Sequence, residues 1–246
     1  MRAHARQEYI VEEIKKKGGV KVEELAQQLD VSLMTIRRDL QHLSELGWVE
    51  RCHGGAITRK EETYQKKLEV HREEKKLIAR KAIEYVHHGD ILFLDAGTTT
   101  FEMLDLLEDY ADITIVTNDL EMGYRGSKKG MQMILTGGMV QNDIACMTGL
   151  ITNHSLCNLK YDVAFMGAAS VDAKYDVMTP SESKAMYKQL AISNSNYSYL
   201  LVDASKFNKK AMVKINNMKC YTGVITNYRF DEEELIRRKQ IHIIQA

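Results

Sequence analysis

The chain has 246 residues, 44% hydrophobic and 28% charged, and its length suits one large globular domain or two modest ones. No apolar run approaches the roughly 18 residues of a membrane span, and the opening MRAHARQEYI lacks the apolar core of a secretion signal, so a cytoplasmic protein without a membrane partner is expected. Lys and Arg number 34 against 34 Asp and Glu, a balance that excludes a nonspecific polyanion binder but not a local basic face.

In chain order, Ile10 and Ile14 mark a first helix, stopped by Gly18-Gly19, and Val22, Leu25, Ala26 and Leu29 mark a second at i, i+3, i+4, i+7 spacing. After the turn Asp30-Val31-Ser32, a third helix takes Leu33, Ile36, Leu40 and Leu43 as its buried face. At about 100° per residue, Thr35, Arg38 and His42 then project from the other side, with Arg37 at the border. Gly47 ends this helix, and Trp48 to Arg51 and Ala56-Ile57 read as two short strands around His53-Gly54-Gly55. Residues 1–57 therefore read as a helix-turn-helix with a β wing.

Such a unit suits double-stranded DNA. A helix fits the major groove, where Arg can donate two hydrogen bonds to guanine and Thr can touch base edges or methyl groups, while Arg37, Arg51, Arg59 and Lys60 meet phosphates. The candidate DNA-contacting residues are Ser32, Thr35, Arg37, Arg38, His42, Arg51, His53 and Gly54. The same pattern also fits a plain interaction module on which Arg37 and Arg38 are merely solvated.

The polar stretch TRKEETYQKK, Thr58 to Lys67, has almost nothing to bury and opens a linker over residues 58–70. An amphipathic helix follows around Leu77, Ile78, Ala82, Ile83 and Val86. Then come apolar runs at 91–95, 113–117, 131–137, 161–167, 197–203 and 222–226. Most are apolar on both faces, as in a parallel sheet covered by helices, so residues 71–246 read as an α/β domain of about six strands. Cys52, Cys146, Cys157 and Cys220 form no Cys-x-x-Cys pair and read as reduced core thiols, with no metal or cofactor expected.

In this second domain polar or glycine residues repeatedly follow strand ends, where ligands of open α/β sheets bind. Asp95-Ala96-Gly97-Thr98-Thr99-Thr100 follows ILFL and precedes an amphipathic helix with Phe101, Leu104 and Leu107 on its apolar face. Backbone N–H groups, hydroxyls and a helix N-terminus there suit a phosphate, although a structural turn with Thr caps fits as well. Thr117-Asn118, Thr136-Gly137-Gly138 and Gly167-Ala168 follow further strands. Lys184 and Lys206 are candidate cations, unless Asp203 merely pairs with Lys206.

The run Val31-Ser32-Leu33-Met34-Thr35-Ile36-Arg37-Arg38-Asp39-Leu40, with Gly47 and His53-Gly54-Gly55-Ala56, resembles the winged-helix signature of DeoR-type bacterial transcription regulators. The likeness continues through Glu74-Lys75-Lys76, residues 95–100, Thr117-Asn118, Gly137-Gly138 and Asp203-Ala204-Ser205-Lys206. It implies a sensor domain similar to sugar-phosphate isomerases in fold. It also implies a repressor of a carbohydrate operon, released by a phosphorylated sugar or related metabolite; since one winged helix reads only a few base pairs and two-fold operators demand two copies, a homodimer or homotetramer is expected. By the same resemblance the effector-site candidates are Asp95, Gly97, Thr98, Thr99, Thr100, Asn118, Gly138, Lys184 and Lys206. Asp176 stands where many members have glycine, which implies a differently shaped loop at 173–179. The rival reading is a phosphosugar isomerase with an appended DNA-binding unit. Such isomerases place an acid where this chain has Ala169, so no catalytic residue is assigned.

Overall fold

The computed structural model describes residues 3–17, 19–45, 48–52, 54–58, 68–141, 145–231 and 240–246. Gly18, Gly47, His53, Arg59, Lys60 and the rest of the linker to Lys67 lie outside them. The chain divides into two compact units. One is Met1–Glu61 with Lys210–Met212, and the other is Glu62–Lys209 with Val213–Ala246.

The first unit runs α1 (Ala3–Lys17), β1 (Gly19–Lys21), α2 (Val22–Leu29), α3 (Leu33–Glu45), β2 (Val49–Cys52) and β3 (Gly55–Thr58). Ile10, Ile14, Leu25, Ile36, Leu40, Leu43, Val49 and Ala56 close a single core. Asp30, left-handed at φ 49, ends α2, and the Ser32 hydroxyl starts α3 by accepting from the Thr35 amide at 3.1 Å. Two expectations are corrected here. Leu33 is 43% exposed rather than buried, because the first residue of α3 overhangs the core. The wing has three strands in the order β1-β3-β2, since the chain after α1 extends and pairs Val20 with Ala56 and Lys21 with Gly55. A Cβ on Gly55 would stand 2.1 Å from the Val20 carbonyl oxygen, so only glycine lets β1 approach.

The second unit is built on a seven-stranded parallel sheet in the order β15-β14-β12-β9-β4-β5-β6. In chain order these are β4 (Ile91–Leu94), β5 (Thr114–Thr117), β6 (Gln132–Leu135), β9 (Tyr161–Gly167), β12 (Ser195–Leu201), β14 (Gly223–Thr226) and β15 (Ile243–Gln245). Side chains alternate across a strand, so each run feeds two cores. Phe93, Val116, Ala164, Leu200 and Val224 lie on one face under α8 (Glu182–Ser193), which contributes Ala185, Tyr187 and Ala191. Leu92, Leu94, Ile115, Val163, Phe165 and Ile225 lie on the other, under Ile78, Ala79 and Ala82 of α4 (Arg72–Ile83).

All six expected runs form strands of this sheet, and β15 is an added seventh whose three residues are too few to show a pattern. Leu77 is 48% exposed, off the buried face of α4. The run at 131–137 is not covered on both faces. Its strand β6 is an edge with Ile134 and Leu135 exposed, though α6 (Leu120–Lys128) presses Gly123 and Gly126 onto Leu135 and Met133. The hairpin β7 (Met139–Gln141) and β8 (Cys146–Thr148) and the small antiparallel sheet of β10 (Ser170–Val171), β11 (Asp176–Thr179) and β13 (Val213–Asn217) were not foreseen. In the loop entering β11, Tyr175 takes the left-handed conformation at φ 62 and Asp176 pairs with Lys214 at 2.7 Å.

Candidate functional site

In the N-terminal unit, Arg37, Arg38 and His42 of α3 are exposed, while Ile36, Asp39 and Leu40 are buried. Ser32 and Thr35 are joined hydroxyl to hydroxyl at 2.8 Å, so both serve the start of α3 as well as facing outward. Met34, which no sequence argument singled out, is 68% exposed beside them, an apolar group at the end of the helix suited to enter a groove. Its signal was present in the spacing, since position 34 falls outside the apolar stripe. Arg51 on β2 donates to the Gln41 side chain at 2.9 Å, tying wing to helix, and Gly54 turns the wing at φ +79 with open space around it.

Asp39 is 4% exposed and has a structural role. Its carboxylate accepts from Arg6 Nε at 2.5 Å and Nη2 at 3.3 Å and from Gln7 Nε2 at 3.0 Å, locking α3 to α1. The hydrogen bond to Asp39 raises the Arg6 guanidinium above its ordinary pKa.

In the second unit, parallel strands put all their carboxyl ends on one edge of the sheet. The chain winds from β4 outward through β5 to β6, then returns to the other side of β4 with β9 and continues to β12. The gap between the ends of β4 and β9 is therefore the topological switch point, the place where open α/β sheets leave a crevice.

Asp95, Lys188 and Gly167 meet there. Asp95 follows β4, is fully buried, and its Oδ2 accepts from the Gly167 amide at 2.8 Å and from the ammonium of Lys188 on α8. Lys188, 5% exposed, also donates to the Gly167 carbonyl at 3.0 Å. Periodicity could have marked Lys188, since Lys184 and Lys188 lie one turn apart on the buried face of α8, beside Ala185 and Ala191. Composition argued against it, because lysines are almost never buried unless paired.

The other candidates divide by what their polar atoms already do. Thr100 is spent on the loop itself, its hydroxyl reaching the carbonyls of Asp95 at 2.6 Å and Gly97 at 2.7 Å. Asn118, fully buried, accepts from the Ala96 amide at 3.0 Å and donates to Cys146 Sγ at 3.3 Å and to the Met147 carbonyl at 3.2 Å. It fastens the loop after β4 to β8. Gly138, at φ +117, is required by packing, because a Cβ there would stand 2.2 Å from Thr152 Oγ1. Gly97, Thr98 and Thr99 remain, a capping glycine and the first two residues of a helical turn, with amides and hydroxyls.

The helix expected after residues 95–100 instead begins within them, as the single turn Thr98–Phe101, followed by a 3-10 segment, Leu104–Asp109. Its dipole is correspondingly small. Lys184 is buried on α8, and Lys206 follows β12, two strands from Asp95. No Asp203–Lys206 ion pair forms. Asp203 instead caps the next turn by accepting from the Ser205 amide at 2.9 Å.

Cys146 adjoins this cluster, its thiol 3.6 Å from the Tyr187 hydroxyl. Burial pushes that thiol up to about 11 and pushes Tyr187 well above its ordinary value. Cys157 and Cys220 are exposed, correcting the expectation of core thiols, while the Cys52 side chain lies outside the described set. The thiolate is the reactive form, and at pH 8 a thiol of that pKa is ionised to about one part in a thousand. Iodoacetamide at pH 8 is expected to label Cys157 and Cys220 and to spare Cys146 until the protein unfolds, as read by peptide mass spectrometry. Labelling of all three at one rate would contradict the burial. Among the described residues no His, Cys, Asp or Glu cluster could hold a metal ion, and no helix is long and apolar enough to cross a membrane.

Comparison with known proteins bears on both units. Residues 6–62 match the DeoR-like helix-turn-helix domain and residues 70–228 the DeoR C terminal sensor domain. The chain is 34% identical to the lactose phosphotransferase system repressor of Staphylococcus aureus over 245 residues, 96% of each chain. It is also 34% identical, over 206 residues and 82% of each chain, to an uncharacterized HTH-type transcriptional regulator, FruR, of Bacillus subtilis. Among solved structures, a D-ribose-5-phosphate isomerase in complex with phospho-erythronic acid is similar over 55% of this chain and 54% of that one, at 18% identity and a TM-score of 0.41. With both domain models matched in order and relatives aligned over nearly the whole length, this chain belongs to the DeoR family of transcriptional regulators.

Proposed function

We propose that this chain is a repressor of a carbohydrate operon whose sensor domain binds a phosphorylated sugar at the β4–β9 switch point, and that binding lowers operator affinity. The observation that carries this reading is the convergence of Asp95, Lys188 and the turn at Gly97–Thr99 at that point of the sheet. The amides and hydroxyls of Gly97, Thr98 and Thr99 suit the phosphate, with Lys206 and Lys184 as further cations. Thr100, Asn118 and Gly138 shape the site from behind. Relatives named as a lactose phosphotransferase system repressor support a sugar-derived ligand.

On the DNA side, α3 enters the major groove with Arg38 and Thr35 meeting base edges, Arg37 and Arg51 on phosphates, and Ser32, His42, His53 and Gly54 as further DNA contacts. Two-fold operators demand two copies, so the protein acts as a homodimer or homotetramer.

Thermal unfolding against a panel of ketose 1-phosphates, hexose 6-phosphates, pentose 5-phosphates and inorganic phosphate tests the sensor. One phosphosugar should stabilise by about 2.7 kcal/mol at a hundredfold excess over its Kd, remain unconsumed, and weaken retardation of operator DNA. Turnover of the ligand would favour the isomerase reading instead. Absence of any response would remove the sugar-phosphate assignment.

A further inference from the structure

Resting on that reading of the switch point, we propose that Asp95 and Lys188 together read one neutral hydroxyl group of the effector, so that the ligand's anionic end lies away from them. The pair is incomplete as it stands. Asp95 Oδ2 is doubly engaged, but Oδ1 is buried without a hydrogen-bond partner. A buried acceptor left bare is costly, so proteins seldom keep one without a use. Lys188 spends two of its three N–H bonds, on Asp95 Oδ2 and the Gly167 carbonyl.

One ion pair thus offers both a spare acceptor and a spare donor. A phosphate or carboxylate oxygen could accept from Lys188 but would face the charge of Asp95. An ammonium would pair with Asp95 but face Lys188. A hydroxyl donates to the one and accepts from the other, and charge-assisted bonds of this kind are the stronger ones. Two more buried oxygens without partners, Ser170 Oγ and Asp203 Oδ2, follow the neighbouring strands β9 and β12, which suits a ligand bearing several hydroxyls.

A purely structural tie between α8 and β4 would explain the ion pair but not the bare Oδ1, and the two roles separate experimentally. The parent ligand is whichever phosphosugar of the panel stabilises the wild-type protein. Its affinity and those of its singly deoxygenated analogues are measured by calorimetry for wild type, Lys188→Met and Asp95→Asn. In wild type, removal of one particular hydroxyl should weaken binding at least about a hundredfold, as expected where a site is built to hydrogen-bond that group. In both variants the parent should fall toward the affinity of that analogue, and the penalty for that hydroxyl should shrink to within about threefold, while penalties at other positions persist.

A cooperative thermal melt with the wild-type circular dichroism spectrum reports that the sensor domain of each variant is folded. If Lys188→Met does not fold, the double variant Asp95→Asn with Lys188→Met, which leaves no buried charge alone, takes its place. An unchanged deoxy penalty in the variants, or parent affinity equal to wild type, overturns this proposal alone. A wild-type protein that no phosphosugar stabilises overturns the effector reading and this proposal with it.

Discussion

Replacing Arg38 with Ala is expected to abolish sequence-specific retardation of operator DNA while leaving effector-induced thermal stabilisation intact. Arg38 is exposed on α3, with Ile36 and Leu40 holding the opposite face in the core. Truncation therefore removes an exposed side chain without a cavity or an abandoned partner. A bidentate contact from arginine to a guanine edge is worth about 1–3 kcal/mol, or roughly 5- to 150-fold in affinity, and two helices on a two-fold operator double the energy.

Arg37→Ala should behave differently. Placed for a phosphate, it should weaken binding evenly across sequences and lower the salt slope by about one. Retardation by Arg38→Ala equal to wild type, on duplexes selected from a random library, would remove α3 from the reading role.

The second large effect lies one residue on. Asp39→Ala should destabilise the N-terminal unit by about 3–5 kcal/mol, because it removes the poorly solvated carboxylate that pairs with Arg6 and accepts from Gln7. The Arg6 and Asp39 side chains are only 12% and 6% exposed, so water cannot replace the lost partner. A unit of roughly sixty residues holds only about 3–5 kcal/mol of net stability, so the variant should be largely unfolded in this part at room temperature. Replacing both partners, Arg6→Met with Asp39→Leu, should recover most of the loss, since both charges of the pair are then replaced by apolar groups. Circular dichroism melts of the three proteins decide it. A double variant no more stable than Asp39→Ala would mean that packing, not the charge left behind, sets the cost.

Much of this was legible in the residue order. Ile10, Ile14, Leu25, Ile36, Leu40 and Leu43 recur at helical spacing because a helix buries one stripe, and all are buried. ILFL, ITIVT and YDVAFMG are apolar on both faces because helices cover both sides of the sheet, and they became β4, β5 and β9. Leu33 and Leu77 show the limit of that reading. Both fit the stripe, yet an apolar residue at a helix end or off the contact line has nothing to pack on.

The strand-end polar loops were equally visible, but not the division of labour among them. Whether Thr98, Thr100 or Asn118 is free to meet a ligand depends on which oxygen or amide each already serves, and that is a matter of distances across strands far apart in sequence.

What the sequence alone determined is the pair of domains, the helix-turn-helix with its exposed arginines, the parallel sheet and the polar loops at its strand ends. These rest on periodicity and on short motifs, which are local properties. Only the tertiary structure decided the strand order, the third strand of the wing, the burial of Asp39 against Arg6 and the meeting of Lys188 with Asp95, 93 positions apart in the chain. Pairing of buried charges has no local signature. The cost of leaving either partner alone appears only when both have been brought out of water, and it is folding that brings them there.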